Sequence, residues 1–580
     1  MTRILVFSPY AERHLHTLYE GTIARACMVR GAEVEYLLCD GLLTECDQHW
    51  DAIATTPRPF DLCQRCRSGA MACLAELDLP YKWIGEYVSE AERRLALEWA
   101  QSLSLDEIPQ ANFQGYPLSE WVISSISSYF RNYPPDFDDW HTINVFRGFL
   151  YSAALVSTGL NNFLDSHPVD AAILFNGRVS ATRVAFEILR MGGIRVLTHE
   201  KPSFRYEDLN VKENAHCISL RAFSEFWRDW GQVPLNRSQL EQTLNWLIDR
   251  RYNRNSIWVF NEPLIKGSSV RKILNIRQGS KLMALFTSST DEVAGEAEYK
   301  GAFESQSQWV EAVVSWVKDR DDVELIIRTH PNLAGRGGRW GAFNEIKYFE
   351  GLSLNMPANV HLIMPDNSLN SYALMDAADI GLTFGSTVGV EMGMLGKPII
   401  LGSRAFYENG STILTVRARQ ELPDVLAKSL QTFSSRELRR EAFRLAYYFV
   451  FHVEELPFPL VSIVGNWDGK LNYHDFDALT FGKDKTLDHV CDFLLQGTPV
   501  HDSPTEAEQY FTTAEEDSFF AELEKSPQRL CDVNYERRVR YNIRLNQLKR
   551  STKNILQHMP LGTGEILTKI GRFALRPLLR

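Results

Sequence analysis

The sequence predicts an α/β protein of two domains, each a doubly wound parallel sheet, followed by a mainly helical extension. Three observations carry that expectation. Short apolar runs alternate with helix-compatible stretches in two separate blocks. A polar, irregular connector lies between the blocks. At 580 residues the chain is too long for a single hydrophobic core. The resulting boundaries are 1–236 for the first domain, 237–278 for the connector, 279–470 for the second domain with a return helix, and 471–580 for the extension.

Residues 4–8 form the first apolar run, 17–30 are helix-compatible, and 33–39 follow Gly31 as a second strand, which makes a βαβ unit. After a helix-rich stretch, 171–175 reads as a strand, 180–191 as a helix closed by Gly192 and Gly193, and 195–198 as another strand. Residues 239–251 predict a polar-faced helix at the head of the connector. In the second block, strands at 282–286 and 323–328 flank a helix at 303–318, where Trp309, Val310, Val313, Val314 and Val317 recur at helical spacing. Strands at 361–364, 380–384 and 398–401, with helices at 371–378 and 387–395, complete a parallel sheet. A long helix at 437–453 lies beyond it.

The net charge of -11 argues against a nucleic-acid binder, which needs a basic field. Pro9, Glu12 and Arg13 interrupt the start where a signal peptide would be apolar. The apolar stretch 145–164 is broken by Arg147, Asn161 and Asn162, so it predicts a core helix rather than a membrane span. Nine cysteines, an odd number, suit reduced thiols in a cytoplasmic protein.

Ligands of open parallel sheets bind beyond the carboxyl ends of the strands. Three such loops in the second block are candidates for holding a nucleotide. The first contains Ser288 and Ser289, the second Arg328, His330, Pro331 and Asn332, and the third Gly385, Ser386, Thr387 and Glu391. Gly385 permits close backbone approach, and Ser386 and Thr387 stand at a predicted helix start, where amide N–H groups favour phosphate. Glu391, about one turn on, could accept hydrogen bonds from ribose hydroxyls. An ordinary helix cap followed by a surface glutamate is the alternative. His330 can give a phosphate a hydrogen bond or a charge without a metal. His167-Pro168 precedes a strand and would lie at the opposite edge of its sheet.

The run Arg328-Thr329-His330-Pro331-Asn332, then Ser371-Tyr372-Ala373-Leu374-Met375, then Gly385-Ser386-Thr387-Val388-Gly389-Val390-Glu391 and Gly396-Lys397-Pro398 resembles the C-terminal half of GT-B glycosyltransferases of bacterial surface and capsular polysaccharide synthesis, Kdo transferases among them. The His-Pro and Ser-Thr pairs are also similar to those of GT-B sialyltransferases. The resemblance covers residues 282–402 best, and Asn176-Gly177-Arg178 and His199-Glu200 add to it. It implies two Rossmann-like domains facing a cleft, a UDP- or CMP-linked sugar donor, no catalytic metal, and a glycan or lipid-linked glycan acceptor. His330, Ser386 and Thr387 would then hold donor phosphate, and Glu391 the ribose. The chain lacks the acidic base motif of the sialyltransferases, which leaves the stereochemistry open.

An inverting transfer needs a base on the opposing domain. Glu200 is the first candidate and His14 the second. The alternative for Glu200 is an ion pair with Arg178 or Arg205. Cys39, Cys46, Cys63 and Cys66 could hold a structural zinc, or be buried thiols. Asp136-Phe137-Asp138 and Asp475-Phe476-Asp477 follow no apolar strand and read as solvated loops. Residues 549–580 carry seven basic side chains against Glu565, with Ile566, Leu567, Ile570, Phe573 and Ala574 at helical spacing. That pattern fits peripheral contact with an anionic membrane, or a tail helix docked on the protein itself. The competing functions are a GT-B-type nucleotide-sugar epimerase, a polyol-phosphate transferase, and a non-catalytic scaffold of a polysaccharide assembly complex.

Overall fold

The computed structural model describes residues 1–11, 14–48, 61–204, 208–254, 267–335, 342–465 and 467–532. Residues 1–520 form one compact unit. Residues 521–580 form a second, of which 521–532 are described.

The first half of the chain supplies strands β1 (Arg3–Ser8), β2 (Glu33–Leu38), β3 (Tyr81–Trp83), β4 (Ala171–Phe175), β5 (Arg195–Glu200) and β6 (Asp208–Glu213). The second half supplies β7 (Lys281–Phe286), β8 (Val323–Arg328), β9 (Val360–Ile363), β10 (Ile380–Thr383), β11 (Ile399–Leu401) and β12 (Leu414–Thr415). Short strands β13 (Leu456–Pro457), β14 (Val461–Ile463) and β15 (Gly469–Leu471) follow. The N-terminal sheet runs β13-β6-β5-β4-β1-β2-β3, and the C-terminal sheet runs β12-β11-β10-β7-β8-β9.

All pairs of the C-terminal sheet are parallel. In the N-terminal sheet only β5–β6 and β6–β13 are antiparallel. Burial on both faces explains the continuous apolar runs: every residue of β4 is buried, and so is every residue of β8. Strand order reverses between β1 and β4 in one sheet and between β7 and β10 in the other. Neighbouring loops diverge at such points and leave a crevice beyond the strand ends.

Helices cover both faces of the N-terminal sheet. One core cluster joins helix Trp140–Ser166 to β1 and β4 through Phe146, Phe149, Leu174 and Phe7. The other packs helix His14–Val29 on the opposite face. Trp309, Val310, Val313 and Val317 of helix Gln306–Val317 are fully buried against the C-terminal sheet, as their spacing predicts.

The C-terminal part departs from the predicted boundaries. Helix Arg436–Tyr448 continues through Phe449–Glu454 and delivers β13 to the edge of the N-terminal sheet, where Leu456 pairs with Leu209. Helix Lys485–Gln496 then packs on helix His14–Val29, with Arg30 bonded to Asp488 at 2.7 Å and the Cys27 and Cys491 sulfurs 3.7 Å apart. Residues assigned from periodicity to an extension thus complete the N-terminal domain, because their apolar faces fit a sheet far away in sequence. The basic segment 549–580 lies outside the described residues. Among the described residues, no helix is long and apolar enough to cross a membrane.

Candidate functional site

Parallel register sets three loops side by side. Phe286 at the end of β7 stands opposite Arg328 of β8 and Thr383 of β10, so the loops that follow leave adjacent strands at the same level. Between them is a cavity of about 130 Å³, lined among others by Arg328, His330, Pro331, Ser386, Thr387 and Glu391. Six of the ten residues expected to hold a nucleotide therefore meet at one place.

The other four stand behind the cavity. Ser289 Oγ is 3.3 Å from His330 Nδ1, and the Asn332 N–H donates to the same nitrogen at 3.2 Å. An Nδ1 that accepts from an amide leaves the proton of a neutral imidazole on Nε2. The His330 N–H donates to Thr287 Oγ1 at 2.8 Å, which ties the first loop to the second. Ser288 holds Gln306 through its backbone, and its own hydroxyl is buried with no hydrogen-bond partner. Gly385 has φ of 120°, a backbone state that disfavours any side chain, and a Cβ there would lie 3.1 Å from the Arg404 carbonyl oxygen.

Helix Val388–Met394 is shorter than expected, with Thr387 as its cap residue. The polar character of the pocket thus comes from side chains more than from a long helix dipole. Ser386 Oγ accepts from the Val388 N–H at 3.3 Å, and the Tyr407 hydroxyl donates to the Ser386 carbonyl at 2.7 Å, fixing this turn.

Glu391 is not the surface glutamate of the alternative reading. It is 1% exposed, and its Oε1 accepts from Arg250 Nε at 3.0 Å and Nη2 at 2.8 Å. Its Oε2 accepts from the Tyr372 hydroxyl. A carboxylate has roughly four acceptor sites, so three bonds leave about one for a further donor. Burial opposes the Arg250 charge, but the Glu391 carboxylate and the Tyr372 phenol outweigh it and hold the guanidinium above its ordinary pKa. Burial, then the Glu391 charge, pushes the Tyr372 phenol well up.

Arg250 and Asn253, which line the same cavity, escaped the sequence reading because they fall at the end of the connector helix Arg237–Arg251. Nothing local marks them. Neighbouring Arg251 instead forms a bidentate pair with Asp376, with both distances 2.8 Å.

The N-terminal domain brings its own strand-end groups. Glu200, the last residue of β5, accepts from Asn176 Nδ2 at 2.6 Å and from the Lys201 N–H at 2.9 Å. Asn176 follows β4 with φ of 62°, a left-handed state that asparagine tolerates better than most residues. The histidine beside Glu200 is His16, not His14: His16 Nε2 lies 3.5 Å from Glu200 Oε1. The His16 ring sits 4.1 Å from Phe175 and 5.5 Å from Trp467, centroid to centroid.

His14 opens helix His14–Val29 and is half-buried, without the contacts to Glu200 and Phe175 that His16 makes. Two residues further along the helix turns the side chain inward, which spacing in the sequence could not decide. His199 and Glu200 do not share the cleft, because successive strand residues face opposite sides. His199 is buried and pairs with Glu20 at 3.0 Å. Arg178 bonds Ser124 Oγ rather than Glu200, and Arg205 lies outside the described residues.

The two sets of loops adjoin. Phe204, four residues after Glu200, packs under Arg250 with 5.0 Å from guanidinium carbon to ring centroid, and Arg250 holds Glu391. Two doubly wound sheets meet at their carboxyl ends, and the chain returns to finish the first. This is the GT-B fold.

No protein-family model and no curated protein matches the chain. Among solved structures it is similar to the β-Kdo 2,4-transferase KpsC of Thermosulfurimonas dismutans, at 16% identity over 48% of this chain and 80% of that one, TM-score 0.31. It is also similar to the UDP-GlcNAc 2-epimerase of Neisseria meningitidis bound to UDP-GlcNAc, at 13% identity over 77% and 96%, TM-score 0.25. A third is the spinosyn rhamnosyltransferase SpnG, at 11% identity over 77% and 95%, TM-score 0.24. Likenesses this distant carry no argument here, so the fold rests on the topology of this chain and the site on its own residues.

Cys39, Cys46, Cys63 and Cys66 do line one small cavity. Among the described residues, however, no three His, Cys, Asp or Glu side chains converge as metal ligands, which counts against the zinc reading. Burial raises the Cys39 thiol pKa and keeps it protonated. His167 lines a separate cavity of about 630 Å³ at the start of β1 and β2, with Lys82 Nζ 2.7 Å from its Nε2, remote from the strand-end loops.

Proposed function

We propose that the protein is a glycosyltransferase that moves a sugar from a UDP- or CMP-linked donor to a hydroxyl of a surface-glycan or lipid-linked glycan acceptor. The observation that carries this reading is the pairing of two chemistries at adjoining switch points. One is a phosphate-sized polar cavity around His330, Ser386, Thr387 and Arg250, and the other is the His16–Glu200 pair on the opposing domain.

In an inverting transfer, the Glu200 carboxylate, with His16 beside it, takes the proton of the acceptor hydroxyl as its oxygen attacks the anomeric carbon. The bond from that carbon to the phosphate oxygen breaks, and negative charge develops on the departing nucleotide. The His330 Nε2–H, the Ser386 and Thr387 hydroxyls and the Arg250 guanidinium stand where donors are needed to stabilise that charge. Asn176 and the Lys201 N–H hold the Glu200 carboxylate in place. Arg250 supplies positive charge and His330 a hydrogen-bond donor to the leaving group, and the reading expects transfer that survives chelation of divalent cations.

The basic, amphipathic pattern of residues 549–580 supports contact with the anionic inner face of a membrane, where a lipid-linked acceptor would be met. Loss of liposome binding on deletion of this segment would support that part of the reading.

The deciding experiment is a thermal-shift panel of UDP, CMP, GDP and their sugar conjugates. A nucleotide at a hundred times its dissociation constant stabilises the fold by about 2.7 kcal/mol. One base should stand out. No response to any nucleotide overturns the reading, and conversion of a UDP-sugar without an acceptor would replace transfer with epimerisation.

A further inference from the structure

The imidazole of His330 is held by groups that are themselves held from the other domain. Arg131 follows helix Leu118–Phe130 of the N-terminal domain at φ of 51°, a left-handed position where glycine or asparagine is the less strained choice. Backbone geometry does not call for an arginine there; its side chain does. That side chain is 5% exposed, donates from Nη1 to the Asn332 carbonyl oxygen at 3.0 Å, and places Nε 3.5 Å from Asp291 Oδ2.

Both ties lead to His330. Asn332, whose carbonyl accepts from Arg131, gives its own N–H to His330 Nδ1. Asp291 lies two residues after Ser289, whose hydroxyl is 3.3 Å from the same nitrogen. One guanidinium thus fixes the two loops that orient the ring and leave its proton on Nε2.

The loop that carries Asp291 has other anchors. Glu296 pairs with Arg183 at 2.7 Å and with His216 at 3.3 Å, and Glu298 accepts from the Leu220 and Arg221 N–H groups at the start of helix Leu220–Trp230. Gly295 packs so close to Ile123 that a Cβ would lie 2.0 Å from its Cγ2. Domain contact therefore does not depend on Arg131 alone, and the specific task left to Arg131 is the His330 end of the loop.

We infer that Arg131 is a positioning residue: from the N-terminal domain it sets the ring of His330, so the phosphate-binding face of the C-terminal domain is complete only while the two domains are docked. Its effect on ligand rests on the proposed nucleotide-binding role of His330; its effect on the ring does not.

The test is a double-mutant cycle with a separate readout on the imidazole. Arg131→Met should weaken binding of the nucleotide that emerges from the panel by about tenfold. In a His330→Ala background the same substitution should change affinity by less than about twofold. Equal losses in both backgrounds would mean that Arg131 acts on structure in general, and would overturn the inference.

Nitrogen NMR of the ligand-free protein should show His330 as the Nε2–H tautomer, and a tautomer mixture in Arg131→Met. An unchanged tautomer overturns the inference whatever the binding data say. If no nucleotide binds the wild type while the tautomer still depends on Arg131, the functional reading fails and the positioning role stands. Should Arg131→Met not fold, Arg131→Lys keeps the charge, loses the fork that reaches two loops, and carries the same cycle.

Discussion

The C-terminal and N-terminal faces of the cleft are built from the same unit, a strand end at a switch point, yet they store their chemistry differently. On the C-terminal side, hydroxyls, an imidazole and two arginines surround a cavity, and the one carboxylate lining it is paired with Arg250 and accepts a hydrogen bond from Tyr372. On the N-terminal side, Glu200 is paired with an amide and a histidine but with no arginine or lysine side chain within 4 Å among the described residues. The first arrangement suits holding an anion, and the second suits taking a proton. Arg250 and Tyr372 fill three acceptor positions of the Glu391 carboxylate, whereas Glu200 accepts two hydrogen bonds among the described residues, from Asn176 and the Lys201 N–H.

The comparison makes the two faces separable by mutation, and the largest effect belongs to the acceptor side. Glu200→Gln should lower the rate of sugar transfer by about 10²- to 10⁴-fold with nucleotide affinity unchanged. His16→Gln should follow it, and His14→Gln should not. Activity of Glu200→Gln within a few fold of wild type would dissolve the distinction between the faces.

Next is the buried pair that supports the donor side. Arg250→Met leaves the Glu391 carboxylate, 1% exposed, without its cation and should cost about 3–5 kcal/mol of stability, read from urea unfolding. Replacing both partners, Arg250→Met with Glu391→Gln, should recover much of that loss. Equal destabilisation in single and double variants would show that the pair is not the unit described.

A smaller effect is expected at the phosphate groups. His330→Ala, and Ser386→Ala combined with Thr387→Ala, should each weaken nucleotide binding by about tenfold while leaving the melting transition in place. Wild-type affinity in both would empty the donor face of its assigned role.

The smallest effect is a pH slope. Glu345 lies beside the loop that follows β7, with Gln306 Nε2 donating both to it at 2.7 Å and to the Ser288 carbonyl. Burial, and then the charge of Asp291, pushes its pKa from 4.5 up to about 7. A raised carboxyl pKa means that the folded state binds the extra proton, so this group's contribution is full below pH 4.5 and is lost as pH rises through about 7. Glu345→Gln should flatten the decline in urea midpoint across that window, and an unchanged slope would assign the decline to other groups.

What was legible in the sequence follows from distance along the chain. Residues after a parallel strand reach the ligand side of the sheet by topology alone, so His330, Ser386 and Thr387 could be named from apolar periodicity and loop composition. His16 could not be separated from His14, because the choice depends on how helix His14–Val29 is rotated against Phe175 and Trp467, the latter 451 residues away in the chain. Arg250 was one residue of a predicted polar-faced helix, and its partner Glu391 lies 141 residues on.

By itself, then, the sequence determined the two parallel α/β blocks and the strand-end loops that line the cavity, because alternating apolar runs and strand-end loops are local consequences of backbone geometry. Only the tertiary structure decided which groups face each other. It returned residues 456–496 to the N-terminal sheet, turned His199 away from the cleft toward Glu20, and brought Arg131 across the domain boundary to His330. Such pairings depend on apolar faces, charges and hydrogen-bond donors that meet only after the chain has closed loops of tens to hundreds of residues, and no local pattern records the meeting.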